Sequence, residues 1–260
     1  MEELARISTL VLTGLTVGGY LLAFLSGGEK FKRMALPFHS LLFVLFTLYI
    51  SVYSLRLGRC PIASGREVMI FSAWILTGLM LLNELLCERR SVAVFVLPFS
   101  ALATFIPILS EGGPWLPEKY IGTLFPLHVG LTAMGFVLYS LVFLLCLLYT
   151  KSFRDIKNKR PGPLFGRIPP LKTQETQIRL LLAAGNLLVP AGLAFGIYWS
   201  LSQNLHEIVG PKLLVSLGAW TSFVVLMFRF RRLTLARILT LSTLGFLLVA
   251  LSFFLGRHGA

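Results

Sequence analysis

The chain has 260 residues, of which 56% are hydrophobic and only 13% charged, with a mean hydropathy of +0.80. That excess of apolar residues excludes an ordinary water-soluble domain and points to a polytopic membrane protein. A net charge of +13 raises the question of nucleic acid, but the basic residues fall almost wholly between apolar stretches, so the charge reads as membrane topology and no nucleic-acid partner is expected.

Apolar windows fall at about 4–25, 36–55, 67–86, 92–109, 121–149, 178–201, 211–228 and 234–255. The expectation is an all-α protein of about eight transmembrane helices forming one transmembrane domain over 1–260. With the N-terminus outside, 17 of the 24 lysines and arginines lie on the inner side, which predicts an N-out, C-out orientation.

Met1-Glu2-Glu3 makes an acidic start and no small-residue cleavage pattern precedes Gly27-Gly28, so the first window is read as a retained helix. It carries Gly14-Leu-Thr-Val-Gly18, a small-residue spacing that ordinarily serves close helix packing, as does Gly192-Leu-Ala-Phe-Gly196 in the sixth window. His39 follows Pro37 at the inner start of the second window, where the ordinary reading is an interfacial or core-satisfied imidazole. Then comes Arg56-Leu-Gly-Arg59-Cys-Pro61-Ile-Ala-Ser-Gly-Arg66-Glu67, with three arginines on the side where positive charge is scarce. They are candidates for holding an anionic ligand, set against a plain exception to topology with Arg66 and Glu67 solvated.

Glu84-Leu-Leu-Cys-Glu88-Arg89-Arg90 is a short inner connection, and Glu84 is the acidic residue nearest the interior. The acidic residues lie in loops or near helix ends rather than at mid-depth, which argues against gradient-driven transport. Cys60 lies on the outer side and Cys87 and Cys146 near the inner side, so free thiols are expected. The fourth window ends in the turn-rich Glu111-Gly-Gly-Pro114-Trp115-Leu-Pro117-Glu118.

The fifth window, from Pro126 to Tyr149, is uninterrupted by charge and would give roughly 36 Å of helix, enough to cross about 30 Å of hydrocarbon. His128 sits in its first turn, where the positive end of the helix dipole favours the neutral, metal-ligating ring. An inner basic loop spans 150–177, with Pro161, Pro163, Pro169 and Pro170, and is expected near anionic headgroups or acting as a connector. Past the sixth window lies His206, and the eighth is followed by His258. Three of the four histidines, His128, His206 and His258, thus fall on the outer side; two imidazoles on different helix ends suit an iron bound axially, and three could suit zinc.

The order of these parts resembles the cytochrome c assembly family of integral membrane proteins, the CcsA/HemX-type haem handlers, over about residues 56–260. The likeness rests on Cys60-Pro61 with Glu67, Phe71 and Trp74; on Leu127-His128-Val129 with Gly135, Tyr139 and Ser140; and on Gly196, Trp199, Pro211-Lys212, Trp220 and His258. It implies that His128 and His258 match the pair of outer histidines that ligate haem iron. Arg56, Arg59 or Arg66, with His206 as a further candidate, would complete the binding surface.

Full members carry a tryptophan-rich loop at positions that here hold Gln203, Glu207, Val209 and Gly210, which puts the chain nearer the short HemX-like branch. The implied function is a membrane component of cytochrome c biogenesis that binds or presents haem at the outer face, working with an assembly partner protein and apocytochrome c. The alternative is a non-catalytic protein that regulates or stabilises a haem-biosynthesis enzyme. In either case the chain lacks a nucleophile and base of its own, and the expected location is a bacterial inner (cytoplasmic) membrane.

Overall fold

The computed structural model describes residues 2–26, 29–86, 91–109, 124–159, 162, 168–203 and 210–255, and within them the secondary structure is helical throughout. Eight α-helices follow one another: α1 (Glu2–Ser26), α2 (Glu29–Leu57), α3 (Gly65–Leu86), α4 (Ser91–Leu109), α5 (Leu124–Lys157), α6 (Leu171–Ser202), α7 (Pro211–Arg229) and α8 (Leu235–Phe254), with a 3₁₀ turn at Phe230–Arg232 between the last two. Seven are long and apolar enough to cross a membrane, and α4 adds a shorter apolar stretch, Val92–Phe105. Large side chains such as Leu15, Leu55, Leu187 and Phe228 stand exposed on helix surfaces, as hydrocarbon rather than water requires.

Each apolar window became a helix, but two helices outrun their windows. Continuing to Lys157 and starting at Leu171, α5 and α6 absorb much of the segment expected as a loop. Polar side chains pair between elements along these added turns: Gln174 Nε2 donates to Ser152 Oγ at 3.2 Å, and Arg231 Nε donates to Glu175 Oε1 at 2.7 Å.

The chain divides into two compact units, residues 1–113 with 163–169, and residues 114–162 with 170–260. In the first unit, α1 to α4 alternate in direction. Phe24 meets Phe95 where α1 ends and α4 begins, and Trp74 Nε1 of α3 donates to Thr47 Oγ1 of α2 at 3.0 Å. Leu42, Phe46, Tyr49, Ile70 and Ala73 form a core there, and Gly78 lets the Phe43 ring lie against α3, since a Cβ would meet its Cε2 at 2.7 Å.

The second unit is built on a ring sandwich. Tyr139 of α5 and Phe223 of α7 stack with centroids 4.0 Å apart, and their outer faces are covered by Gly185 of α6 and Gly245 of α8. A methyl at either glycine would come within 2.6 Å of a ring carbon, so the small residues set how closely the four helices approach. Phe143 on Phe246 and Phe136 on Phe253 continue the packing of α5 against an antiparallel α8.

Pro190 interrupts α6 and cannot donate to the carbonyl four residues back. The indole of Trp220 on α7 reaches that same Asn186 carbonyl at 3.4 Å. Asn186 also accepts from Tyr139 through its side-chain oxygen at 2.7 Å, so one residue ties α5, α6 and α7 together.

Candidate functional site

His128 is the fifth residue of α5, after Pro126, and is partly buried. Its Nδ1 lies 2.7 Å from the carbonyl oxygen of Gly192 on α6. A carbonyl can only accept, so Nδ1 carries the hydrogen and, in the neutral ring, Nε2 bears the lone pair. A backbone carbonyl anchoring one ring nitrogen is the arrangement that orients ligating histidines.

The ring has this place because α6 offers no side chain beneath it. A Cβ on Gly196 would meet His128 Nδ1 and, at 2.5 Å, Cε1, while one on Gly192 would meet Thr132 Cγ2 at 2.7 Å and its backbone nitrogen at 2.8 Å. The two glycines of the sixth window therefore do serve close packing, and what they pack is the imidazole and the turn that follows it. Thr132 Oγ1 donates to the His128 carbonyl at 2.7 Å, and Phe125 lies on Trp199 with centroids 5.1 Å apart, closing the same end of α5 and α6.

Chain direction determines what else reaches this end of the second unit. The start of α5, the end of α6, the start of α7 and the end of α8 all lie there, since α5 runs parallel to α7 and antiparallel to α6 and α8. His206 and His258 fall outside the described residues: His206 between Gln203, which closes α6, and Gly210, which precedes α7; His258 three positions after Leu255. Among the described residues, no three of histidine, cysteine, aspartate and glutamate come together as a metal set.

The three arginines belong to the first unit and differ from one another. Arg59 forms a two-pronged bond with Glu67, Nη1 to Oε2 at 2.9 Å and Nη2 to Oε1 at 3.0 Å, and Nη1 also donates to the Cys60 carbonyl at 3.2 Å. Glu67 is buried rather than solvated and further accepts from the Ala63 amide at 2.6 Å. This knot holds the bend between α2 and α3, where Gly58 takes a left-handed φ of 63°. Arg56 is exposed and Arg66 half-buried.

Cys60 sits beside the same knot as a free thiol; burial, and then the Glu67 carboxylate, push its pKa up, against a smaller opposing pull from Arg59. Cys146 is a buried free thiol within α5, and Cys87 lies outside the described residues.

A constellation that reading the sequence missed lies at the other end of the first unit. The Tyr20 hydroxyl of α1 donates to Glu84 Oε2 of α3 and lies 3.2 Å from His39 Nδ1 of α2; His39 Nδ1 is 3.3 Å from Glu84 Oε2, and Nε2 is 3.0 Å from the Thr77 carbonyl. All three side chains are buried. His39 is thus core-satisfied, one of the two ordinary readings for it, and Glu84 is its partner.

Comparison with known proteins adds a family. Residues 34–259 match the family model described as Cytochrome C assembly protein. The chain is 26% identical over 203 residues to Protein HemX of Bacillus subtilis (strain 168), a match covering 76% of this chain and 73% of that one. It is 24% identical over 223 residues to Protein HemX of Brevibacillus brevis, covering 84% of this chain and 79% of that one.

Proposed function

The chain belongs to the cytochrome C assembly protein family, and we propose that it binds haem at the end of its second unit where α5 begins, with His128 and His258 as the residues that would hold the iron. The observation that carries this reading is the seating of His128: Nδ1 is anchored to the Gly192 carbonyl, the arrangement that orients ligating histidines, and Gly196 leaves room for the ring against α6.

The reach of the chain supports the second ligand. Phe253 lies beside Phe136, about two helical turns, or roughly 12 Å along α5, from His128. The five residues from Phe253 to His258 span from about 7.5 Å as helix to about 17 Å extended, which brackets that distance. Orientation by basic residues puts this end at the outer face, where haem would be presented to apocytochrome c with an assembly partner protein. Bound haem supplies the iron and the reactive porphyrin edge; this chain's residues hold and orient it.

A second reading has its own support. Both named relatives are called Protein HemX, and the positions where the wider family carries tryptophans hold Gln203, Glu207 and Val209. This favours a non-catalytic membrane protein that acts on a haem-biosynthesis enzyme through the inner basic segment.

Haem titration of the purified full-length protein in lipid nanodiscs separates the two. The first reading expects a saturable Soret band with a six-coordinate, low-spin spectrum, turned five-coordinate by His258→Ala and weakened at least about tenfold by His128→Ala. A wild-type protein that yields no Soret band, or one identical to that of His128→Ala, would leave the second reading standing.

A further inference from the structure

The first unit buries together charge-bearing groups that the sequence shows only one by one. The side chains of His39 and Glu84 are 0% and 1% exposed, and Tyr20 closes the cluster from α1. Their protons can be counted from the acceptors around them. The Thr77 carbonyl accepts from Nε2 of His39, so that nitrogen is protonated. On the other side Nδ1 stands 3.3 Å from Glu84 Oε2, and two bare acceptors at that distance would set lone pair against lone pair. The phenol proton of Tyr20 serves one contact only, and its donation to Glu84 leaves the Nδ1 to Oε2 contact without a hydrogen. One more proton must lie between imidazole and carboxyl. Placed on either partner, it makes the cluster neutral overall, which is what an apolar interior demands.

A second observation shows that the carboxyl is not saturated with hydrogen bonds. Glu84 Oε1 is buried with no hydrogen-bond partner among the described residues, so the carboxyl keeps an unused proton-accepting atom. The buried hydroxyls Thr9, Thr13 and Thr16 of α1 lie at helical spacing on the face that carries Tyr20, and Thr16 Oγ1 is likewise without a partner. The way out is short. Glu84 lies two residues before the end of α3, and His39 three residues inside the apolar span that begins at Leu36, about 4.5 Å of helix.

We propose that Tyr20, His39 and Glu84 form a proton-binding site within the membrane-spanning part of the first unit, with one dissociable proton shared by His39 and Glu84 and exchanged with the aqueous phase at the end where α1 and α3 finish. Among the described side chains at this end, α1 contributes Tyr20, α2 His39 and α3 Glu84, while α4 presents the hydroxyls Ser100 and Thr104; the side chains of Lys30, Lys32 and Arg33 on α2 lie outside those described. Gain or loss of the proton leaves an unbalanced charge between three helices, and admitting water by loosening that end relieves it. Proton occupancy is thereby tied to the packing of α1, α2 and α3.

The test is infrared difference spectroscopy on the full-length protein in nanodiscs, titrated from about pH 4 to 10. A carboxyl band that titrates with pH, vanishes in Glu84→Gln and moves its midpoint by about one pH unit in His39→Gln and in Tyr20→Phe is the expected result. Tyr20→Phe keeps the ring volume, so it carries the test if the other two variants do not fold; an unmoved midpoint in it overturns the proposal. So does a titrating band that survives Glu84→Gln, or a stoichiometric metal ion in the purified protein that is lost from His39→Gln.

Discussion

At the scale of single residues, glycines decide where the chemistry-bearing rings sit. Gly196→Ala puts a methyl into the volume of the His128 imidazole, so the ring must leave the Gly192 carbonyl. Helical content should remain while haem affinity falls at least about tenfold, read in the same Soret titration; overpacking of this kind costs about 1 to 3 kcal/mol. The Arg59–Glu67 knot makes a separate prediction about Cys60. With its pKa raised by burial and by Glu67, the thiol should alkylate more slowly at pH 8 than an exposed cysteine, and speed up as pH passes its ordinary value of about 9. Glu67→Gln removes one raising influence and releases Arg59, so iodoacetamide labelling of Cys60 should accelerate; an unchanged rate would show that the carboxylate does not act on the thiol. His128 was visible in the sequence because one imidazole opens an unbroken apolar run. The Tyr20, His39 and Glu84 cluster was not, because its members lie 19 and 45 residues apart along the chain and no local pattern links them. Arg59 stood out by its side of the membrane, whereas its partner Glu67, eight residues on in the first turn of α3, looked solvated.

At the scale of elements, hydropathy located every helix because a backbone in hydrocarbon must satisfy its own polar groups, which leaves few alternatives to a continuous apolar helix. Helix ends beyond the bilayer obey different forces. The prolines and basic residues after Tyr149 read as a loop, but the contacts Gln174 to Ser152 and Arg231 to Glu175 join residues 22 and 56 positions apart, which periodicity does not reveal. The proline within α6 shows the same limit. Pro190 marks an orphaned carbonyl in the sequence, but only the packing of α7 shows that Trp220 satisfies it. Trp220→Phe should therefore destabilise the second unit by about 1 to 3 kcal/mol, measured as a lowered midpoint in thermal unfolding of the purified protein. Tyr139→Phe, which removes the donor to Asn186, should cost about 1 kcal/mol by the same measurement.

At the scale of the whole molecule, basic residues lie at helix ends: in the first unit Lys30, Lys32 and Arg33 open α2 and Arg56, Arg59 and Arg66 flank its other end, and in the second Arg154, Lys172 and Arg232 lie at the end away from His128. If that end is cytoplasmic, single cysteines at Arg154 and Lys172, introduced into the protein in intact cells, should resist a membrane-impermeant maleimide that labels a cysteine placed at Gln203. The opposite pattern would invert the orientation and place His128 at the inner face. At about 1.5 Å per residue, the 32 residues of α6 extend roughly 48 Å, longer than the hydrocarbon layer. One rod thus starts among the cations of one surface and finishes beneath the imidazole at the other, and midway along it a neighbouring indole grips the carbonyl that Pro190 leaves unpaired. The seat of the imidazole and the polar pairs of Gln174 and Glu175 therefore belong to one element, so a substitution at either end of α6 bears on both faces of the bilayer.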